Sequence, residues 1–307
     1  MKLTIAIVSW NTQDLLRKCL LSIQEHCAHL APGDLEVVVV DNASSDGSAE
    51  MVRAEFPSAI LIRNKDNAGF ARASNQAIRS THGEYVVLLN PDAEIGRRSM
   101  DILVDFMALE PAAGAAGPRL LNSDGSLQVS CYPAPTLLRE FWRLFHLDSL
   151  RPIGSYRMSE WNLQAARAVD VLKGACVMLR REVLEQCGLL DEDYFIYSED
   201  QDLCRKVRGN GWKVYWVPQA TVVHHGGMST GQVEAEMFLR LYQGNIAYFR
   251  KHEGSVCAYI YKLILLAASL VRQLMGPLAL LKSSATRERD REVARHYRQL
   301  VKALPGL

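Results

Sequence analysis

Apolar and polar positions change period along the chain, and each change marks an element. Leu3–Ser9 is a nearly unbroken apolar run, the pattern of a strand buried on both faces. Across Asp14–His26 the apolar residues Leu15, Leu16, Cys19, Leu20 and Ile23 recur at helical spacing. Leu35–Val40 is a second apolar run, followed by the turn-forming Asn42-Ala43-Ser44-Ser45-Asp46-Gly47. Ala49–Glu55 reads as a short helix, Ala59–Arg63 as a strand, Gly69–Thr81 as a helix and Tyr85–Leu89 as a fourth strand. This alternation predicts βαβ units, an α/β fold and a mostly parallel sheet with flanking helices.

The pattern then loosens. Met100–Glu110 reads as a helix. Ala115–Leu121, the turn Asn122-Ser123-Asp124-Gly125 and Leu127–Ser130 predict a hairpin. Residues 131–168 hold three prolines with Phe141, Trp142, Phe145 and Trp161, which fits either a lid or a packed insertion. Val169–Leu179 predicts one strand, and Arg181–Cys187 a helix closed by Gly188. Ser198–Arg208 predicts a helix with a capping box, Ser198 at the cap and Gln201 three residues on. Trp212–Val217 and Thr221–Val223 read as two strands leading to His224-His225-Gly226-Gly227. Beyond Glu234 the chain reads as helical.

Composition narrows the class. The 307 residues are 49% apolar and 22% charged, which is globular. A net charge of +1 argues against a nucleic-acid partner. The seven cysteines are scattered without a C-x-x-C pair, so reduced thiols in the cytoplasm are expected rather than disulfides or a zinc cluster. No signal peptide is read at the N-terminus. No stretch reaches the roughly 20 unbroken apolar residues of a membrane-crossing helix. Residues 256–281 are nonetheless very apolar, broken by Lys262 and Arg272 and with a kink expected at Pro277. Lys282–Lys302 is rich in basic residues. An interfacial helix with a basic flank and a helix packed on protein fit this pattern equally.

Candidate chemistry gathers where strands end. Ser9-Trp10-Asn11 follows the first strand; neither G-x-G-x-x-G nor a P-loop is present, which argues against nicotinamide chemistry and P-loop hydrolysis. Asn11 suits a helix cap. Asp41 suits hydrogen bonds from a base or ribose, or else turn formation. Asn67 suits a cap, Gly69 a close backbone approach, and the helix start an anion. Asp92, in Asn90-Pro91-Asp92, suits a divalent cation on a diphosphate, or else an Asx-turn. Glu199 and Asp200 lie in the first turn of a helix, which suits either the helix dipole or a positioned general base. His224 and His225 point to opposite faces by alternation, so one of the two suits the site.

These segments resemble family 2 inverting glycosyltransferases of the GT-A fold, in particular the bacterial rhamnosyltransferase-like branch. The resemblance rests on Val8-Ser9-Trp10-Asn11, Val40–Ser48, Asn67-Ala68-Gly69-Phe70-Ala71, Leu88–Asp92, Gly174-Ala175-Cys176, Gly188–Glu192, Tyr197–Cys204 and His224–Gly227. It implies a Rossmann-like catalytic domain over 1–230, with 1–95 binding nucleotide and 96–230 serving acceptor and catalysis. A helical region, 231–307, follows. It implies that Ser9, Asn11, Asp41, Asn67, Gly69, Asn90 and Asp92 bind the nucleotide sugar. Asp41 would contact the base, Asp92 would hold Mn2+ or Mg2+, His224 would be a ligand of that metal or of the diphosphate, and Asp200 would be the catalytic base beside Glu199. The expected donor is a dTDP- or UDP-sugar, such as dTDP-rhamnose. The expected acceptor is a glycan or lipid-linked saccharide, at the inner face of the cytoplasmic membrane in cell-surface polysaccharide synthesis. One residue departs from the family pattern: Asn90 stands where the first acid of D-x-D would be, which leaves Asp92 as the main metal carboxylate and argues for modest metal affinity. The rival readings are a nucleotidyltransferase, which wants a Gly-rich basic loop after the first strand, and a non-catalytic nucleotide-sugar module, which has no need of Glu199-Asp200.

Overall fold

Strand β1 (Leu3–Ser9) is buried at every position, as its apolar run requires. It pairs in parallel with β2 (Leu35–Asp41) on one side and β4 (Tyr85–Leu89) on the other, and β3 (Ile60–Arg63) extends the parallel sheet beyond β2. Helices α1 (Gln13–Cys27), α2 (Ser48–Glu55) and α3 (Phe70–Arg79) make the crossovers. The computed structural model describes residues 2–31, 33–226, 233–275 and 284–307.

The chain passes from β1 to β2 in one direction along the sheet and reaches β4 on β1's other side. The C-terminal ends of β1 and β4 therefore mark a topological switch point, the place where open α/β sheets bind ligands. After β4 come β5 (Ala93–Ile95), α4 (Ser99–Leu109) and β6 (Ala113–Leu121). The short strands β7 (Cys131–Tyr132), β8 (Arg167–Val169) and β9 (Val171–Leu172) precede β10 (Cys176–Arg180), and α5 (Leu137–Leu144) lies between β7 and β8. Next come α6 (Arg181–Cys187), α7 (Glu199–Gly209) and β11 (Lys213–His224). The main sheet runs β3-β2-β1-β4-β10-β6-β11-β5, with β8 on β11 and β10 antiparallel to both its neighbours. Apolar clusters on both faces pack the helices against it, one around Ile7, Leu16, Val39 and Met178, the other around Val40, Ala77, Leu179 and Trp216.

Contacts divide the chain into two units. The first comprises residues 1–134, 156–195 and 199–229; the second comprises 135–155, 196–198 and 230–307. The second unit is helical: α5, α8 (Glu234–Met275, interrupted at Gly254) and α9 (Ser284–Ala303) surround a core that includes Phe249, Tyr261, Leu265 and Leu300. A buried hydrogen-bond chain threads it. Ser198 Oγ donates to Asn245 Oδ1 (2.9 Å), Asn245 Nδ2 to the Tyr261 hydroxyl (3.1 Å), and that hydroxyl to Glu140 Oε2 (3.1 Å).

Several expectations are corrected. The predicted hairpin reduces to a turn with a single bridge between Leu121 and Leu127. Val169–Leu179 is three short strands rather than one. Asp170 interrupts it by accepting from the Ala134 amide (2.9 Å) and pairing with Arg208 (3.0 Å), and Lys173-Gly174 interrupts it again. The two strands expected over 212–223 are one strand, β11, with a ladder shift between Val217 and Thr221 where Pro218 cannot donate. Residues 131–168 are a packed insertion: Leu144 lies in the core of the second unit, and Trp161 packs edge-on against Trp216 in the first. The capping box does not form, because Ser198 sits at φ 69° and its hydroxyl goes to Asn245. Residues 256–275 lie within α8, but Gly227, Pro277 and Lys282 fall outside the described residues.

Candidate active site

The ends of β1 and β2 place Ser9 and Asp41 side by side in the sheet register. Both are buried. Asp41 Oδ1 has no hydrogen-bond partner. An unsatisfied buried carboxylate oxygen is costly in a folded protein, and a ligand donor relieves that cost.

The surrounding asparagines are used differently from expectation. Asn11 does not cap α1. It takes φ 51°, and its Oδ1 accepts from the Ser45 amide (2.8 Å), while Asp46 Oδ2 receives the Gln13 amide at the start of α1 (2.8 Å). Asn67 likewise does not cap α3. Its Oδ1 accepts from Gly69 N (3.0 Å) and Asn42 Nδ2 (2.7 Å). Two amides at this helix start are taken by protein acceptors. Ala68 N goes to Asn42 Oδ1 (2.9 Å) and Phe70 N to the Phe195 carbonyl (2.6 Å). The close approach at Gly69 is to protein, since a Cβ there would lie 2.6 Å from the Phe195 oxygen. Asn11, Asn67 and Gly69 thus shape the loops around Asp41.

Strand β5 builds the next part. It pairs antiparallel with β11, His224 opposite Ala93. That register sets His224 against the Asn90-Pro91-Asp92 turn, which Ala93 N closes onto the Asn90 carbonyl (3.2 Å). The Asn90 side-chain nitrogen lies against His224 Nε2 (3.3 Å). Asp92 Oδ1 lies 3.3 Å from the same nitrogen, and both residues are buried. His225 points elsewhere, to Glu94 (2.6 Å) and Ser123 (2.8 Å).

The third part is the start of α7. Asp200 Oδ2 accepts from Gly174 N (3.2 Å) and Oδ1 from Gln201 N (2.8 Å). Burial raises its pKa, against those amides and the Lys173 charge. Glu199 is more deeply buried, and its Oε2 has no hydrogen-bond partner. Burial, then the neighbouring Asp200 charge, raises its pKa further from the ordinary carboxylate range. Of the two, Asp200 is the one equipped to ionise.

Two residues escaped the sequence reading. Gln128 contacts both His224 and Lys173. Lys173 is half-buried, and burial lowers its pKa against the charges of Asp92 and Asp200. A chain of contacts therefore runs Asp92–His224–Gln128–Lys173, and Lys173 adjoins the Gly174 amide that holds Asp200. Lys173 had a visible signal: it is the one charge in the apolar run Val171–Leu179. Gln128 had none.

Among the described residues no three His, Cys, Asp or Glu side chains cluster as metal ligands. Asp92 and His224 still fit a cation shared with a ligand, because Mg2+ and Mn2+ commonly take one or two protein groups and complete their shell with phosphate and water. An imidazole in the set suits Mn2+.

Known proteins resemble this chain in sequence and in fold. Residues 2–242 match the model for "Glycosyltransferase like family 2". An N-acetylglucosaminyl-diphospho-decaprenol L-rhamnosyltransferase of Mycobacterium tuberculosis is 31% identical over 217 residues, 64% of this chain and 69% of that protein. The low-salt glycan biosynthesis hexosyltransferase Agl10 of Haloferax volcanii is 29% identical over 67% of this chain and 61% of its own length. Among solved structures, the mannosyltransferase PcManGT of Pyrobaculum calidifontis, in complex with GDP-Man and Mn2+, superposes with a TM-score of 0.59 at 21% identity, covering 99% of this chain and 86% of that one. The Staphylococcus aureus TarS fragment bound to UDP does so at 0.54 and 16% identity, over 100% and 92%. The fold is that of the GT-A glycosyltransferases, and the chain belongs to glycosyltransferase family 2.

Proposed function

We propose that this glycosyltransferase inverts configuration in one displacement, moving a sugar from a nucleoside diphosphate to a hydroxyl of a lipid-linked saccharide in cell-surface glycan synthesis. The observation that carries the reading is the run of contacts from the Asp92–His224 pair through Gln128 to Lys173, whose chain neighbour Gly174 holds Asp200. Donor phosphates and an acceptor-activating base have to meet in one such place. Asp200 takes the proton as the acceptor oxygen bonds to the anomeric carbon, and the bond to the diphosphate breaks with its electron pair leaving on phosphate. A divalent cation at Asp92 and His224 would supply charge neutralisation for that leaving group. With Asn90 in place of a second acid, its affinity would be modest. Ser9 and Asp41 receive the nucleoside.

The Mycobacterium tuberculosis L-rhamnosyltransferase supports rhamnose as the sugar and a GlcNAc-diphospho-polyprenol as the acceptor, and dTDP-rhamnose is the donor the sequence resemblance implies. A UDP-sugar is the second candidate donor.

The place of action is the inner face of the cytoplasmic membrane. The segment Glu234–Leu274 of α8 is long and apolar enough to cross a membrane, with 28% of its most apolar window buried. Val256, Tyr259, Leu263, Leu270 and Leu274 form an exposed apolar stripe. Residues 234–307 carry 12 Lys and Arg against 6 Asp and Glu in a chain of net +1. An apolar face on a basic element suits the surface of an anionic bilayer. Incubating the protein with dTDP- and UDP-sugars and a GlcNAc-diphospho-lipid tests the reaction. A product of inverted anomeric configuration is expected; retention of configuration, or no transfer from any of the donors, overturns the reading.

A further inference from the structure

The orientation of Gln128 follows from two partners whose roles are fixed. The Lys173 ammonium can only donate, and it sits 3.1 Å from Oε1. The His224 carbonyl can only accept, and it lies 3.0 Å from Nε2. The amide therefore points one way, and Nε2 also reaches Asn122 Oδ1 (2.8 Å). His224 Nδ1 lies 2.7 Å from Gln128 Oε1, an acceptor, so Nδ1 carries the proton. In neutral imidazole this leaves the Nε2 lone pair on the other side of the ring. Asn90 Nδ2 faces that nitrogen as a donor at 3.3 Å, and Asp92 Oδ1 lies 3.3 Å from it. In that tautomer the Nε2 lone pair and the Asp92 carboxylate stand together as the nitrogen and oxygen donors that a cation such as Mn2+ accepts.

We infer that Gln128 is a positioning residue: it accepts the His224 Nδ1 proton and so holds the imidazole with Nε2 free, beside Asp92, to bind the cation of a nucleoside diphosphate. This rests on the Asp92–His224 pair of the proposed function. Without Gln128, the imidazole gains more by protonating Nε2 and donating to Asp92. The two groups would then satisfy each other and compete with the cation. Outer partners of metal-binding histidines typically contribute 10- to 100-fold in metal affinity.

The test reads the tautomer directly on metal-free protein, so it does not depend on transferase activity. Nitrogen-15 spectra of histidine-labelled protein at pH 8, with the His224 signals assigned by their loss in His224→Asn, should show Nδ1–H and an unprotonated Nε2. Gln128→Leu should convert His224 to Nε2–H and weaken Mn2+ binding in the presence of dTDP or UDP by about 10- to 100-fold in calorimetry. Gln128→Glu, which keeps an acceptor at Nδ1, should retain the parent tautomer. An Nε2–H or doubly protonated His224 in the parent overturns the inference, and this measurement stands even if Gln128→Leu fails to fold. A folded Gln128→Leu with an unchanged tautomer overturns it as well. A correct tautomer in a protein that transfers no sugar would leave the inference intact and count against the proposed function alone.

Discussion

The Gly174 amide donates to Asp200 at 3.2 Å, so the loop before β10 grips a carboxylate at the first turn of α7. A second amide, from Gln201, holds its other oxygen at 2.8 Å. Glu199, one residue earlier, is buried with Oε2 unpartnered. Adjacent carboxylates of like charge resist double ionisation, and hydrogen bonds to the charged form decide which one ionises first. The two amides favour the charge on Asp200, and burial favours the proton on Glu199.

Asp200→Asn keeps the size and most of the hydrogen bonding but cannot take a proton. Turnover at saturating donor should fall about 10²–10⁴-fold. Donor affinity and melting temperature should stay near the parent's. If Asp200 is the base, kcat/KM of the parent should rise with pH above aspartate's ordinary 3.8, because burial raises the pKa of this carboxylate. Activity within a few-fold of the parent would remove Asp200 from the role.

Glu199→Gln should behave in the opposite way. The folded-state pKa of Glu199 lies above its ordinary 4.5. The folded state thus holds a proton that the unfolded chain releases, and stability is lost as pH rises through that interval. Glutamine mimics the protonated acid and escapes this loss. Parent and variant should melt together near pH 4. The variant should gain on the parent as pH rises, by up to about 1.4 kcal/mol for each pH unit between the unfolded and folded pKa values. Turnover should remain within about tenfold of the parent's. A variant that melts below the parent at neutral pH would show that Glu199 is ionised in the fold.

The core strands were legible in the sequence because strands buried on both faces must be apolar throughout; β1 and β4 match their predicted ranges residue for residue. What escaped was short or broken. β5 has three residues, too few for a period. Pro218 made one strand look like two. At the site, carboxylates and histidines just past strand ends stood out in the sequence. The hydrogen-bond partners did not: Asp46 reaches α1 and Asn42 reaches Ala68 across loops far apart in sequence. Gln128 lies in a segment with almost no regular pairing, and its meaning comes entirely from what it touches.

The apolar stripe on α8 is separable from its packed face. Truncation at residue 256 would delete Tyr261 and Leu265 from the core of the second unit, so it tests folding instead. Val256 and Leu274 are 73% and 78% exposed and Leu263 is 47% exposed. The combined Val256→Ser, Leu263→Ser and Leu274→Ser variant should therefore keep the parent's melting temperature within a few degrees. Binding to vesicles of mixed anionic and zwitterionic lipid, measured by co-sedimentation, should drop by more than about tenfold. Parent binding should weaken at high salt, because part of it is electrostatic. Equal sedimentation of parent and variant would assign the stripe to a protein partner.

Asp41 is where a binding role and a structural role separate most cleanly. As a structural turn residue, its side chain would be held by neighbours, and removing it would cost stability. In the fold, Oδ1 is buried and unpartnered, so the ligand-free protein carries the cost of an unsatisfied oxygen. Asp41→Ala should consequently leave the melting temperature of the free protein unchanged or higher. Hydrogen bonds to charged groups contribute roughly 1.5–3 kcal/mol, so affinity for UDP or dTDP should fall about 10- to 150-fold in calorimetry. The melting-temperature gain on adding nucleotide should shrink with it. Unchanged nucleotide affinity together with a lower melting temperature would make Asp41 part of the turn and move base recognition elsewhere.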